Sequence, residues 1–457
     1  MTKKLTEGNP AKLILFFTLP LIGGNIFQQL YGFIDTLIVG RFLGVEALAA
    51  VGCTGCIMFL TVGFVIGLSS GLSIFTGQRF GAKDYEGVHH SAAACLVLGL
   101  LVGAVLAIAG YIFSRDILIF MDTPPEILEG AVDFISIVCA GIPITVVFML
   151  EANLIRALGD SRGPTYILAT ALCINIIVEP IFLLVFNWGI PGAAYGILVS
   201  QFVGGIIVVT YIYKRVPYLR IRRRDWQYLN WDFMKKHMVI ALPMAFQTSI
   251  IALGTIIVQM ALNRLGPVAV AAFAAAQKVE TIALMPMMSF GIAMAAYTAQ
   301  NYGANKYARI KRGVNQCIIM SGAFSIAVGI FNVFFGSEFM ELFVGAEEQE
   351  VIELGHVYLV TTSACYLVLA LLFIYRNTLQ GLGQSFVPTF AGIMELVMRA
   401  IVGLCFVDTL GFWGATIASP AAWFGSCIPL AIAYYYTLRR MKKKIHQIKR
   451  EREKEIF

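Results

Sequence analysis

Apolar residues run through the chain in long stretches, and the linkers between those stretches carry most of the charge. A helix needs about 20 apolar residues to cross a bilayer. Twelve stretches meet that length: 11–40, 47–77, 91–113, 131–155, 163–187, 190–213, 238–263, 268–299, 315–335, 354–375, 387–410 and 413–437. The pattern predicts an all-α polytopic membrane protein with twelve transmembrane helices. Composition points the same way. Of 457 residues, 58% are hydrophobic and 13% charged, against about 45–50% and roughly 25% in soluble domains. So little charge cannot cover a water-soluble particle of this size, which excludes an ordinary cytosolic enzyme, a disordered regulator and a secreted disulfide scaffold.

The net charge of +7 acquires its meaning from position. With the spans numbered alternately from a cytoplasmic N-terminus, 29 of the 34 Lys and Arg residues fall on the inner side. The outer loops hold only Arg41, Arg115 and Arg264, and Lys278 and Arg399 lie within spans. This is the positive-inside bias. It predicts a multi-pass plasma-membrane protein with both termini cytoplasmic, whose basic charge meets anionic lipid and does not call for nucleic acid. The first apolar stretch is too long for the core of a signal peptide. Cys53 and Cys56 form a C-x-x-C motif with no accompanying Cys or His pair, so packing as small apolar side chains is the expectation.

Landmarks recur at an offset of about 222 residues. Leu19-Pro20 returns as Leu242-Pro243, and Arg41-Phe-Leu-Gly44 as Arg264-Leu-Gly266. Gln78-Arg-Phe-Gly-Ala82 returns as Gln300-Asn-Tyr-Gly-Ala304, and Leu158-Gly-Asp-Ser161 as Leu382-Gly-Gln-Ser385. The expected organisation is a first six-helix lobe at 1–213, a basic cytoplasmic linker at 214–236, a second six-helix lobe at 237–437 and a basic tail at 438–457. Six spans per half give both halves the same orientation, hence a pseudo-two-fold axis along the membrane normal. Such duplication favours a transporter that rocks two bundles around a central site.

Ionisable groups at membrane depth cost about 2.5–3.5 kcal/mol each on insertion scales and mark function by default. Asn25, Gln28, Gly32 and Asp35 share one face of the first span. Asn175 and Glu179 stand at i and i+4 in the fifth, directly before Pro180. Two carboxylates and an amide suit either oxygen coordination of Na⁺ or a shared proton. The second half differs at the matching positions. Its own candidates are Gln277 and Glu280, with Met285 and Met288 as weaker lining of an adaptable apolar cavity. Glu395 and Arg399, at i and i+4, are expected to pair. No phosphate-binding loop is present, so ATP is not the expected energy source. No catalytic constellation or cofactor motif is visible.

Leu19-Pro20, Asp35-Thr36 with Val39-Gly40, Leu43-Gly44, Gln78-x-x-Gly81-Ala82, Leu158-Gly159-Asp160, Asn175 with an acid at 179, and Gly192-Ala193-Ala194 together resemble the multidrug and toxic compound extrusion (MATE) transporters along the whole chain. The resemblance implies two six-helix lobes and export of organic, mostly cationic or amphipathic compounds in exchange for Na⁺ or H⁺, by a monomer. It implies ion coupling at Asp35, Asn175 and Glu179. Two departures stand out: Glu179 where similar members often carry Asp, and Ile197 where they carry a sixth-span Thr. Losing that hydroxyl removes a candidate Na⁺ ligand and shades the choice towards H⁺ or a rearranged Na⁺ site. The alternatives are a flippase or exporter of a lipid-linked or polysaccharide precursor in the same superfamily, and a membrane enzyme or channel.

Overall fold

The computed structural model describes residues 4–345 and 347–456, without the side chains of Phe343 and of residues 442–456. The described residues form helices and short connections, with no strand among them. The helices are α1 (Pro10–Leu43), α2 (Val45–Cys53), α3 (Gly55–Gly81), α4 (Tyr85–Phe120), α5 (Pro125–Ala140), α6 (Ile142–Ala157), α7 (Arg162–Pro180) and α8 (Ile190–Arg215) in the first half. The second half holds α9 (Trp231–Asn263), α10 (Pro267–Gly303), α11 (Tyr307–Val344), α12 (Gln349–Ser363), α13 (Tyr366–Gly381), α14 (Phe386–Cys405), α15 (Val407–Leu410) and α16 (Phe412–Ile456). Among the described residues ten helices are long and apolar enough to span a membrane, α7 being counted with the π-helical turn Ile181–Val185 that follows it. The bent pairs α5–α6 and α12–α13, angled by 48° and 52°, raise the number to twelve. Each apolar stretch predicted from sequence overlaps one of these spans, but 47–77 begins in the separate helix α2 and 387–410 ends in the short helix α15. The basic tail 438–457 lies mostly outside the described side chains.

The repeated motifs are the corners of this plan. Gly159 and Gly383, the middle residues of Leu-Gly-Asp and Leu-Gly-Gln, have φ of 89° and 82°. Glycine adopts that left-handed conformation without a Cβ clash. The residue after each glycine then clamps a later helix. Tyr211 on α8 donates to Asp160 Oδ2 at 2.6 Å, and Thr437 on α16 donates to Gln384 Oε1 at 3.3 Å. Asp160 Oδ1 also accepts the amides of Arg162 and Gly163, both at 3.1 Å, and so opens α7.

The chain divides into two compact units whose boundaries fall inside helices. Among the described residues, unit 1 comprises residue 4 and residues 19–245, and unit 2 residues 5–18, 246–345 and 347–456. The segment that starts the first half therefore belongs to unit 2. There Leu5 donates its amide to Gln300 Oε1 at 2.9 Å, and its carbonyl accepts from Asn301 Nδ2 at 3.2 Å. Lys306 and Arg309 donate to the carbonyls of Thr6 and Gly8, each at 2.9 Å. The linker and the start of α9 belong to unit 1. A Cβ on Gly71 of α3 would lie 2.5 Å from the Ala241 Cα, so this close approach requires glycine.

Candidate functional site

In unit 1, α1 and α7 are clasped near one end, where Thr165 Oγ1 donates to the Pro20 carbonyl at 2.8 Å. Fifteen residues further along α1, about 22 Å at the helical rise, stands Asp35. It meets the far end of α7, where Asn175 and Glu179 lie one turn apart, as their i, i+4 spacing requires. Asn175 and Glu179 are fully buried and Asp35 is 9% exposed. Asn175 Nδ2 donates to Glu179 Oε2 at 3.1 Å, and the Asp35 carboxyl lies beside that of Glu179. One oxygen of each residue (Asp35 Oδ1, Asn175 Oδ1, Glu179 Oε1) is buried without a hydrogen-bond partner. Buried acceptors are otherwise satisfied as a rule. The set is thus equipped for a species that brings positive charge.

The surroundings explain how α7 can hold an acid here. A Cβ on Gly196 of α8 would stand 2.8 Å from the Glu179 Cβ, so α8 closes over Glu179 only because residue 196 lacks a side chain. Ile197 is buried in the apolar cluster with Ile38, Val39, Leu183 and Ala193. One turn on, Ser200 Oγ lies 2.5 Å from the Tyr31 hydroxyl. Tyr31 stands one turn before Asp35. α7 ends at Pro180, where a π-helical turn at Ile181–Val185 begins; such irregularities are frequent at functional sites.

The other sequence candidates distribute differently. Asn25 is half-buried and Gln28 exposed, on the α1 face that leads to Asp35. In unit 2, Gln277 is half-buried and Met288 exposed, while Met285 is buried. Glu280 on α10 is buried and accepts from Tyr358 of α12 at 2.7 Å, leaving Oε1 without a partner. Glu395 and Arg399 do approach, at 3.5 Å, but Arg376 of α13 is the nearer partner of Glu395.

Four residues escaped sequence reading. Arg376 lies one position beyond the apolar stretch 354–375 and was counted among the inner loops, yet it is buried within α13. Glu151 lies in the fourth span and is buried on α6, but no spacing pairs it with another polar group. Tyr31 and Ser200 are common residue types, and only the fold brings them together across 169 positions.

Ten to twelve spans with carboxyls buried among them are the architecture of a membrane transporter. The MatE family matches residues 20–181 and 243–405, and the chain belongs to it. It is 30% identical to a probable multidrug resistance protein, YoeA, of Bacillus subtilis (strain 168), over 98% of both chains. It is 25% identical to a protein of Shewanella oneidensis named as an FAD transporter, over 94% of both. Its fold superposes with a TM-score of 0.87 on an outward-facing multidrug resistance MATE family transporter of the MOP superfamily. That structure is 24% identical, with 96% of this chain and 98% of the other covered.

Proposed function

We propose that this protein is a secondary antiporter of the plasma membrane, with cytoplasmic termini, that exports organic cationic or amphipathic compounds as Na⁺ or H⁺ enters. The observation that carries the reading is the buried set Asp35, Asn175 and Glu179, with three unsatisfied oxygens and no basic residue paired to it among the described residues. An entering cation satisfies those oxygens, and its departure leaves them unsatisfied again. Coupling follows if the ion and the organic compound prefer opposite states of the protein, because only differential affinity moves such an equilibrium. Relatives named as multidrug resistance proteins support the substrate class.

The test is efflux of a fluorescent organic cation from vesicles, with Na⁺ and pH gradients imposed separately. One gradient is expected to drive efflux in the natural protein, and Asp35→Asn is expected to cut that efflux by about 100-fold, near the upper range of single-site coupling. Undiminished efflux in Asp35→Asn removes the assignment.

A further inference from the structure

The connection between α8 and α9 is folded onto unit 1. Val216 and Leu219 are buried in its apolar core, and Tyr218 stacks on Tyr85 with ring centres 4.7 Å apart. The Arg220 carbonyl lies 2.7 Å from His89 Nδ1. Asp225 is buried, accepts the Arg222 amide at 2.6 Å and faces His90 Nε2 at 3.6 Å. Tyr228 stacks on the same His90 ring at 4.0 Å, and Arg224 pairs with Glu86 at 2.9 Å.

This fixed backbone displays a particular surface. Arg220, Arg222 and Arg223 are exposed, and none of them makes an ion pair among the described residues. Lys214, Arg215, Lys235 and Lys236 flank them, also exposed. Asp232 is the one exposed acid between 214 and 236, since Asp225 is turned inward. Among these charges stand Trp226, Tyr228 and Trp231, from 47% to 69% exposed. Both flanking helices are membrane spans, so the segment cannot move far from the bilayer surface. Basic groups for phosphate and amphipathic rings at headgroup level are the two elements of an interfacial anchor. A basic stretch that only oriented the chain during insertion would need neither a folded backbone nor exposed indoles.

We propose that residues 214–236 are a docking surface for anionic phospholipid headgroups, with Arg220, Arg222 and Arg223 contacting phosphate and Trp226 and Trp231 seated at the interface. The inference does not depend on which ion drives transport. The full chain is placed in nanodiscs of phosphatidylcholine, alone or with a minority of phosphatidylglycerol. Melting temperature and retained lipid, the latter by native mass spectrometry, are followed as phosphatidylglycerol is increased.

Phosphatidylglycerol is expected to raise the melting temperature of the natural protein, less so at high salt. The triple variant Arg220→Gln/Arg222→Gln/Arg223→Gln is expected to weaken the lipid dependence about 100-fold, at roughly fivefold per basic residue. The corresponding triple Arg→Lys variant is expected to retain most of it, and Trp226→Ala to weaken it alone. Three outcomes overturn the proposal: unchanged lipid dependence in the Arg→Gln variant, equal stabilisation by inorganic phosphate in phosphatidylcholine discs, or tight binding of an RNA oligonucleotide with no response to phosphatidylglycerol.

Discussion

One buried cluster in each unit holds charge in the opposite way to the other. Unit 1 gathers Asp35 and Glu179 with an amide and no base, leaving three oxygens unsatisfied. Unit 2 gathers Glu395 with Arg376 and Arg399, and Ser426 adds its hydroxyl at 3.3 Å from Arg376. An acid held against two guanidiniums is already compensated and gains little from an incoming cation. An acid held against another acid is not compensated, and its state follows whatever positive charge reaches it. The family model matches both halves of the chain, yet their buried side chains differ in charge.

If the unit 2 cluster is structural, breaking it should cost stability before it costs coupling. Arg376→Leu leaves Glu395 with only the more distant Arg399, and removing one partner of a buried pair costs about 3 kcal/mol or more. The expected result is a clear fall in melting temperature, with the remaining efflux showing the natural ion dependence. A normal melting temperature with lost ion dependence would reverse the roles of the units.

The unit 1 site should respond to geometry without loss of charge. Gly196→Ala sets a methyl group 2.8 Å from the Glu179 Cβ, and overpacking of this kind costs about 1–3 kcal/mol. Displacing Glu179 from Asp35 is expected to slow gradient-driven efflux about tenfold while the protein stays folded. Efflux at the natural rate would show that the carboxyl–carboxyl contact is not needed.

A smaller effect belongs to the corner between α3 and α4. Asp84 caps α4 by accepting the Gly87 amide at 2.9 Å and pairs with Arg79. Burial raises its carboxyl, but the Gly87 amide and the Arg79 guanidinium outweigh this and hold it below the usual carboxylate range. Its contribution is therefore complete above the ordinary Asp value of about 3.9 and is lost as pH falls through the lowered one. Asp84→Ala is expected to cost about 1 kcal/mol at neutral pH, measured by thermal melting, and nothing once the natural residue is protonated. Coupling should not change, since this cap touches neither buried cluster.

Much of this was legible in the sequence for definite reasons. Span length is set by bilayer thickness, so the twelve stretches could be counted. The repeated Leu-Gly pairs marked corners because a left-handed backbone favours glycine, as Gly159 and Gly383 illustrate. Asn175 and Glu179 were visible because helical spacing forces i and i+4 together. Contacts between distant helices were not legible. Ser200 and Tyr31 meet across 169 positions, which no local pattern announces. Arg376 read as the edge of a loop because its charge ended an apolar run. The transfer of residues 5–18 to unit 2 depends on main-chain carbonyls, which have no sequence signature.

We assign ion coupling to the acid pair of unit 1 and not to the buried Glu280 of unit 2. The direct test compares Glu179→Gln with Glu280→Gln in vesicles carrying a fixed ion gradient, with efflux of a fluorescent organic cation as the readout. Glu179→Gln is predicted to make efflux insensitive to the gradient, while Glu280→Gln keeps the natural gradient dependence. Gradient-driven efflux that survives Glu179→Gln and is lost in Glu280→Gln would contradict the account.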